Sequence, residues 1–134
     1  MTVLRMDHVN IRTAKFEESI AFYRDILGLE AGPTPGGDRS RAAWMYDSGG
    51  HPVIHVGRPE MTYPGDRLAG LTNLGGEGTG SIDHVALECT GLDEYCARVD
   101  AAGYPHERNT VDSISLEQLF VRDPNGVLFE LNFR

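Results

Sequence analysis

The sequence predicts an α+β fold made of two tandem copies of one βαβββ module. Three observations carry this. Asp7-His8-Val9-Asn10-Ile11 returns as Asp83-His84-Val85-Ala86-Leu87, a displacement of 76 residues (from 7 to 83). A helical pattern follows each copy at that same displacement. Each half then closes on a strand, a tight turn and a strand. Self-similarity over a fixed interval marks a repeated supersecondary unit.

The elements follow in order. His8, Asn10 and Arg12 share one face of the first strand and Val9 and Ile11 the other, because side chains alternate along a strand. Phe16, Ile20, Tyr23 and Leu27 recur at helix spacing, and Gly28 can end that helix in the left-handed conformation. The run 44–55 reads as strand, turn, strand, with Val53 and His55 opposing Ile54 and Val56. The second module opens on His84, Ala86 and Glu88 opposing Val85, Leu87 and Cys89. Its helix places Leu92, Cys96 and Val99 in register and closes at Gly103, and Thr90-Gly91-Leu92-Asp93 has the pattern of a capping box. Asp123-Pro124-Asn125-Gly126 is a hairpin turn, since Pro presets its own φ and Asn and Gly accept positive φ. The last strand sets Leu128, Glu130 and Asn132 against Val127, Phe129, Leu131 and Phe133. After the turn the repeat slips by one residue, so that His55 corresponds to Glu130.

The expected organisation is a single domain over 1–134, with module 1 at about 1–58, a glycine-rich linker at about 59–80 and module 2 at about 81–134. The linker run 75–80 and the stretch Gly32 to Gly37 match neither the Walker nor the dinucleotide-binding spacing.

Composition narrows the functional classes. With 134 residues, 40% hydrophobic and 24% charged, the chain can bury one ordinary core. Twelve basic against 20 acidic residues leave a net charge of −8, which disfavours nucleic acid and anionic membranes as partners. No apolar run reaches the ~20 residues of a membrane span, and the N-terminus lacks a signal-peptide layout. The expected location is the cytoplasm and the expected partner a small-molecule substrate. Cys89 and Cys96 form no CxxC pair and read as reduced, mostly buried thiols.

One polarity pattern points to chemistry. Four strands each carry a titratable residue, His8, His55, His84 or Glu130, amid apolar neighbours and on the equivalent face. Such groups are costly in a core unless partnered. One shared divalent cation partners several at once, and imidazole with carboxylate suits Fe, Mn, Ni, Co or Zn. Arg12 can clamp a substrate carboxylate, and Asn10, Trp44 and Tyr46 can contact substrate. His51 and His106 fall in turn or loop contexts and read as solvated.

The repeated Asp-His-Val opening, Phe22-Tyr23-Arg24-Asp25-Ile26-Leu27-Gly28-Leu29, and the run Asp-Pro-Asn-Gly-Val-Leu-Phe-Glu-Leu at 123–131 resemble the vicinal-oxygen-chelate superfamily of glyoxalases, bleomycin-resistance proteins and extradiol dioxygenases. The resemblance spans essentially the whole chain. It implies a cupped eight-stranded mixed sheet with helices on its outer face, often completed by a second subunit, hence a homodimer. It also implies one divalent metal on His8, His84 and Glu130, chelated by two neighbouring substrate oxygens. His55 stands where glyoxalases place a fourth carboxylate or amide ligand, and near where extradiol dioxygenases place an acid–base histidine. It is therefore expected as a fourth ligand or, with Glu130, as a catalytic proton carrier. A histidine there favours dioxygenase-type chemistry, with a glyoxalase I-like lyase or isomerase as the alternative. A fosfomycin-type transferase and a non-catalytic drug-binding module complete the set. Three departures stand out: Phe120 occupies the place of a dioxygenase tyrosine, the stretch Asn109 to Ser115 holds no further dioxygenase histidine, and the second glyoxalase carboxylate is missing.

Overall fold

A computed structural model describes residues 1–34, 38–61, 79, 82 and 84–134. Apart from 59–61 and 79, the expected linker lies outside the described residues, as do Asp83 and the end of the Gly32–Gly37 stretch. The chain forms two compact units. One holds Met1–Arg24 and continues from Gly28, and the other takes Asp25–Leu27 together with the second module.

The first unit contains β1 (Val9–Arg12), α1 (Phe16–Asp25), β2 (Glu30–Gly32), β3 (Ala42–Tyr46) and β4 (Pro52–Gly57). The second contains β5 (Val85–Cys89), α2 (Leu92–Ala102), β6 (His106–Val111), β7 (Leu116–Arg122) and β8 (Leu128–Phe133). The eight expected strands are hydrogen-bonded as two mixed sheets of four, ordered β1-β4-β3-β2 and β5-β8-β7-β6. In each, the opening strand runs parallel to the closing one and the remaining pairs are antiparallel. Both modules are therefore βαβββ, as the repeat predicts.

The closing hairpins rest on one device used twice. Asp47 Oδ1 accepts from the backbone N–H of Gly49 and of His51, each at 2.9 Å. Asp123 Oδ1 accepts from Asn125 N–H at 2.8 Å and Val127 N–H at 2.9 Å. Gly50 and Gly126 hold φ of +79° and +84°, where a side chain would be strained. The hairpins differ at one point. In module 2 the ladder is regular, with Val121 opposite Phe129 and Phe120 opposite Glu130. In module 1, Tyr46 pairs Pro52 but Met45 pairs Ile54, so Val53 is an extra residue in a β-bulge. This bulge is the physical origin of the one-residue slip between the repeats.

Helix ends follow the glycines. Gly28 and Gly103 have φ of +74° and +72°. The N–H groups of Gly103 and Tyr104 return to Asp100 and Val99, closing α2 in a Schellman-type turn. The expected capping box at Thr90 does not form. Gly91 is the N-cap in a left-handed conformation, φ +84°, and no side chain caps the helix.

The second core gathers Leu119, Val121, Phe129 and Leu131 with Val99 of α2, all at 0–1% exposure. In the first unit, Phe22, Tyr23, Met45, Ile54 and Val56 are equally closed to solvent. These are the apolar faces expected from strand alternation, which leaves the opposite faces to the polar residues. The two cysteines are free thiols but only half-buried, a correction to the expectation of mostly buried ones.

Candidate metal centre

Each module sets one row of side chains across its sheet on the polar face. In module 1, Asn10 of β1 pairs His55 of β4, which pairs Trp44 of β3. In module 2, Ala86 pairs Glu130, which pairs Phe120. His8 and His84 sit one residue before β1 and β5.

In the second unit, His84 Nε2 lies 3.3 Å from Glu130 Oε2. Two donors on one ion at ~2.1 Å stand ~3.0 Å apart at a right angle and ~3.4 Å apart at a tetrahedral angle. The observed separation fits two adjacent ligands of a single cation. Glu130 is largely enclosed, at 14% side-chain exposure, whereas His84 is more open at 38%. Glu130 Oε1 is engaged elsewhere, accepting from Gln118 Nε2 at 2.8 Å and Asn132 Nδ2 at 2.9 Å.

In the first unit, His55 lies between two rings. Trp44 stacks on it at 4.0 Å and 6°, and His8 at 3.8 Å and 15°. Burial, followed by the nearby His8, pushes the His55 pKa below its ordinary 6.5, against a smaller opposing pull from Asp7. Its Nε2 is buried with no hydrogen-bond partner among the described residues. His8 Nδ1 lies 2.6 Å from Asp7 Oδ2. That hydrogen bond is the main reason the Asp7 carboxyl sits below its usual range. A carboxylate on one imidazole nitrogen fixes the tautomer and presents the other nitrogen's lone pair, the usual arrangement behind a ligating histidine. Asp7 thus leaves His8 Nε2 available as a donor.

The stack also bears on His55 as a fourth ligand. A nitrogen lone pair lies in its ring plane, so two nearly parallel rings 3.8 Å apart cannot both aim at one ion ~2.1 Å away unless one ring turns. His55, as placed, suits proton transfer better than ligation. A cleft of about 250 Å³ lies against this stack, lined by His8, Asn10, Thr34, Trp44, His55 and Met61 among others. Among the described residues, no three His, Cys, Asp or Glu side chains are grouped so as to hold a metal ion.

The other expected site residues are placed as follows. Asn10 and Trp44 line the cleft. Arg12 is buried at the end of β1, and it is not among the cleft-lining residues. The Tyr46 hydroxyl donates to the Pro33 carbonyl at 2.6 Å, away from the cleft. His51 is exposed in its turn beside Asp47, as expected. His106 is not in a loop: it opens β6, half-buried, with Nδ1 2.9 Å from the Tyr104 carbonyl. Sequence reasoning missed Asn109 and Gln118, which join Asn132 behind Glu130. The signal was present, since counting back from the Asp-Pro-Asn-Gly turn sets Gln118 opposite Asn132.

Comparisons with known proteins agree with this architecture. A curated relative, "Glyoxylase I 4" of Arabidopsis thaliana, is 23% identical over 129 residues, covering 94% of this chain and 68% of its own length. Among solved structures, the lactoylglutathione lyase of Agrobacterium tumefaciens superposes with a TM-score of 0.68 at 18% identity, covering 99% of this chain and 96% of that one. The fosfomycin resistance protein FosX of Listeria monocytogenes gives a TM-score of 0.68 at 19% identity, covering 99% and 95%. Residues 5–131 match the family described as the Glyoxalase/Bleomycin resistance protein/Dioxygenase superfamily, and the chain belongs to that superfamily.

Proposed function

We propose that this chain is a metal-dependent enzyme acting on a small substrate that presents two adjacent oxygens, with His8, His84 and Glu130 holding one divalent cation and His55 moving a proton. The observation that carries this reading is the 3.3 Å separation of His84 Nε2 and Glu130 Oε2, a ligand-like spacing at the position the duplication makes equivalent to His55. His8 joins through Nε2, because Asp7 occupies its Nδ1. The two units act as one domain in this reading, and the ligands come together within one chain or across a homodimer in the cytoplasm.

A bound Fe, Mn, Ni, Co or Zn ion supplies Lewis-acid polarisation of the two chelating oxygens. The protein residues do the rest. With its pKa below 6.5, His55 is neutral at pH 7 and accepts a proton from the substrate hydroxyl. Trp44 fixes the imidazole plane and, with Asn10, shapes the cleft beside it. A histidine rather than a carboxylate in this place favours extradiol-dioxygenase-type chemistry on a catechol. A glyoxalase I-like proton shift between adjacent carbons is the second reading, favoured by the names of the Arabidopsis and Agrobacterium relatives.

Anaerobic purification with elemental analysis, then parallel assays of catechol-dependent oxygen uptake and of hemithioacetal isomerisation, tests the proposal. One metal per chain, lost in His84→Ala and Glu130→Ala, is expected. His55→Ala should keep the metal and lose ~10²–10⁴-fold in rate. A His55→Ala variant with full activity removes the proton-transfer role. A wild-type chain that takes up none of the five metals removes the enzyme reading and leaves a ligand-binding module.

A further inference from the structure

The row beyond Phe120 and Glu130 on the second sheet holds three amides in succession on β6, β7 and β8, with Glu88 of β5 beside the last. Asn109 of β6 lies opposite Gln118 of β7, and Gln118 lies opposite Asn132 of β8. Their side chains are linked. Asn109 Nδ2 donates to Gln118 Oε1 at 2.7 Å. Gln118 Nε2 donates to Glu130 Oε1 at 2.8 Å and to Asn132 Oδ1 at 3.2 Å. Asn132 Nδ2 donates in turn to Glu130 Oε1 at 2.9 Å.

The polarity of this network is self-consistent. Turning the Gln118 amide over would set its oxygen against two acceptor oxygens and its nitrogen against the Asn109 donor. Turning Asn132 over would set its oxygen against the carboxylate. Every donor therefore points toward Glu130, which as a carboxylate can only accept. Gln118 is 8% exposed, so water replaces these bonds poorly.

The consequence falls on how Glu130 can act. Oε1 holds two N–H donors, while Oε2 faces His84 Nε2. Bidentate ligation would surrender the amide bonds on Oε1, and so would swinging the carboxylate toward a substrate carbon. We infer that Gln118 and Asn132 are positioning residues that clamp Glu130 so that it offers a cation Oε2 alone and does not serve as the mobile base. This rests on the metal reading above. It removes Glu130 from the set of expected proton carriers and leaves that work to His55.

The test uses the full chain and Co(II). In the metal-free protein, the Gln118 side-chain amide signals in ¹⁵N–¹H spectra should be slow to exchange and should shift in Glu130→Ala. In chelator competition, Gln118→Met, which keeps the length and removes the amide, should weaken Co(II) binding ~10–100-fold. The cobalt absorption spectrum should also change, because the freed carboxylate can then ligate through both oxygens. Asn132→Ala, which removes one donor, should fall between Gln118→Met and wild type and supplies the test if Gln118→Met does not fold. Amide signals indifferent to Glu130→Ala overturn the clamp. So does Co(II) affinity within about threefold of wild type with an unchanged spectrum in the variants. Wild type that binds no Co(II) while its amide signals behave as described overturns the metal reading instead, and with it the positioning role.

Discussion

Trp44→Ala separates the two physical reasons for the low pKa of His55. The indole covers one face of the imidazole at 4.0 Å, nearly parallel, and burial is the leading cause of the shift. Removing it admits water to that face while leaving His8 on the other. A Trp or Phe truncation in a full core costs ~3–5 kcal/mol. Trp44 is only part-buried, so about half of that applies, ~2 kcal/mol, which includes ~0.5–1.5 kcal/mol for the stack itself. For a chain of this length that lowers the melting temperature by roughly 6–12 °C. The charge effect has its own sign. A histidine with a folded pKa below 6.5 binds fewer protons folded than unfolded. Its contribution is complete above pH 6.5 and is lost as pH falls from there toward the folded pKa. In Trp44→Ala the imidazole should titrate closer to 6.5, and this acid-side loss should flatten. Proton NMR titration of the His55 ring, with thermal melts across the acid range, measures both. A His55 ring titrating as in wild type, or lower, would refute burial beneath Trp44 as the cause.

Other perturbations act elsewhere in the fold. Phe129→Ala empties the centre of the second core, where the ring is fully closed to solvent, and should cost ~3–5 kcal/mol in denaturant unfolding. Asp123→Ala strips the acceptor from two backbone N–H groups in a buried turn and should cost ~2–4 kcal/mol by the same measurement, more than Asp47→Ala in its more open counterpart. Tyr95 donates to the Leu27 carbonyl at 2.8 Å, and its phenol is pushed up to about 12, chiefly by burial. Its ionisation should therefore come late in an alkaline absorbance titration, with stability lost as pH rises from about 10 toward 12. Tyr95→Phe should remove that late step at a cost of ~0.5–1.5 kcal/mol.

The features legible in the sequence are those set by chain-local rules. Strand alternation sorted Phe129 and Leu131 from Glu130 and Asn132. Gly28 and Gly103 marked the helix ends, and Asp-Pro-Asn-Gly marked the turn. The paired positions of His55 and Glu130 followed from the repeat. Features that depend on which side chains meet across strands were less visible. Thr90 has the residue type of a helix cap, but the left-handed Gly91 takes the cap position, and tertiary context overrides the motif. The Trp44–His55–His8 stack needs both the β3–β4 register and the rotamers, and no local pattern specifies a ring plane. The amide row behind Glu130 was half visible, since Asn132 shares its face by alternation. Gln118 enters only when the hairpin is folded on paper.

The Val53 bulge has a consequence for how the two copies have been able to diverge. In a ladder without slack, one added residue turns every side chain beyond it inside out. Matched at a constant interval of 76, His55 would fall against Leu131, a residue of the sealed interior, and the copies would disagree about which surface does chemistry. By absorbing the odd residue between turn and histidine, the kink preserves the orientation of everything downstream. The duplicated halves can therefore differ in contour length and still present their reactive side chains in the same direction.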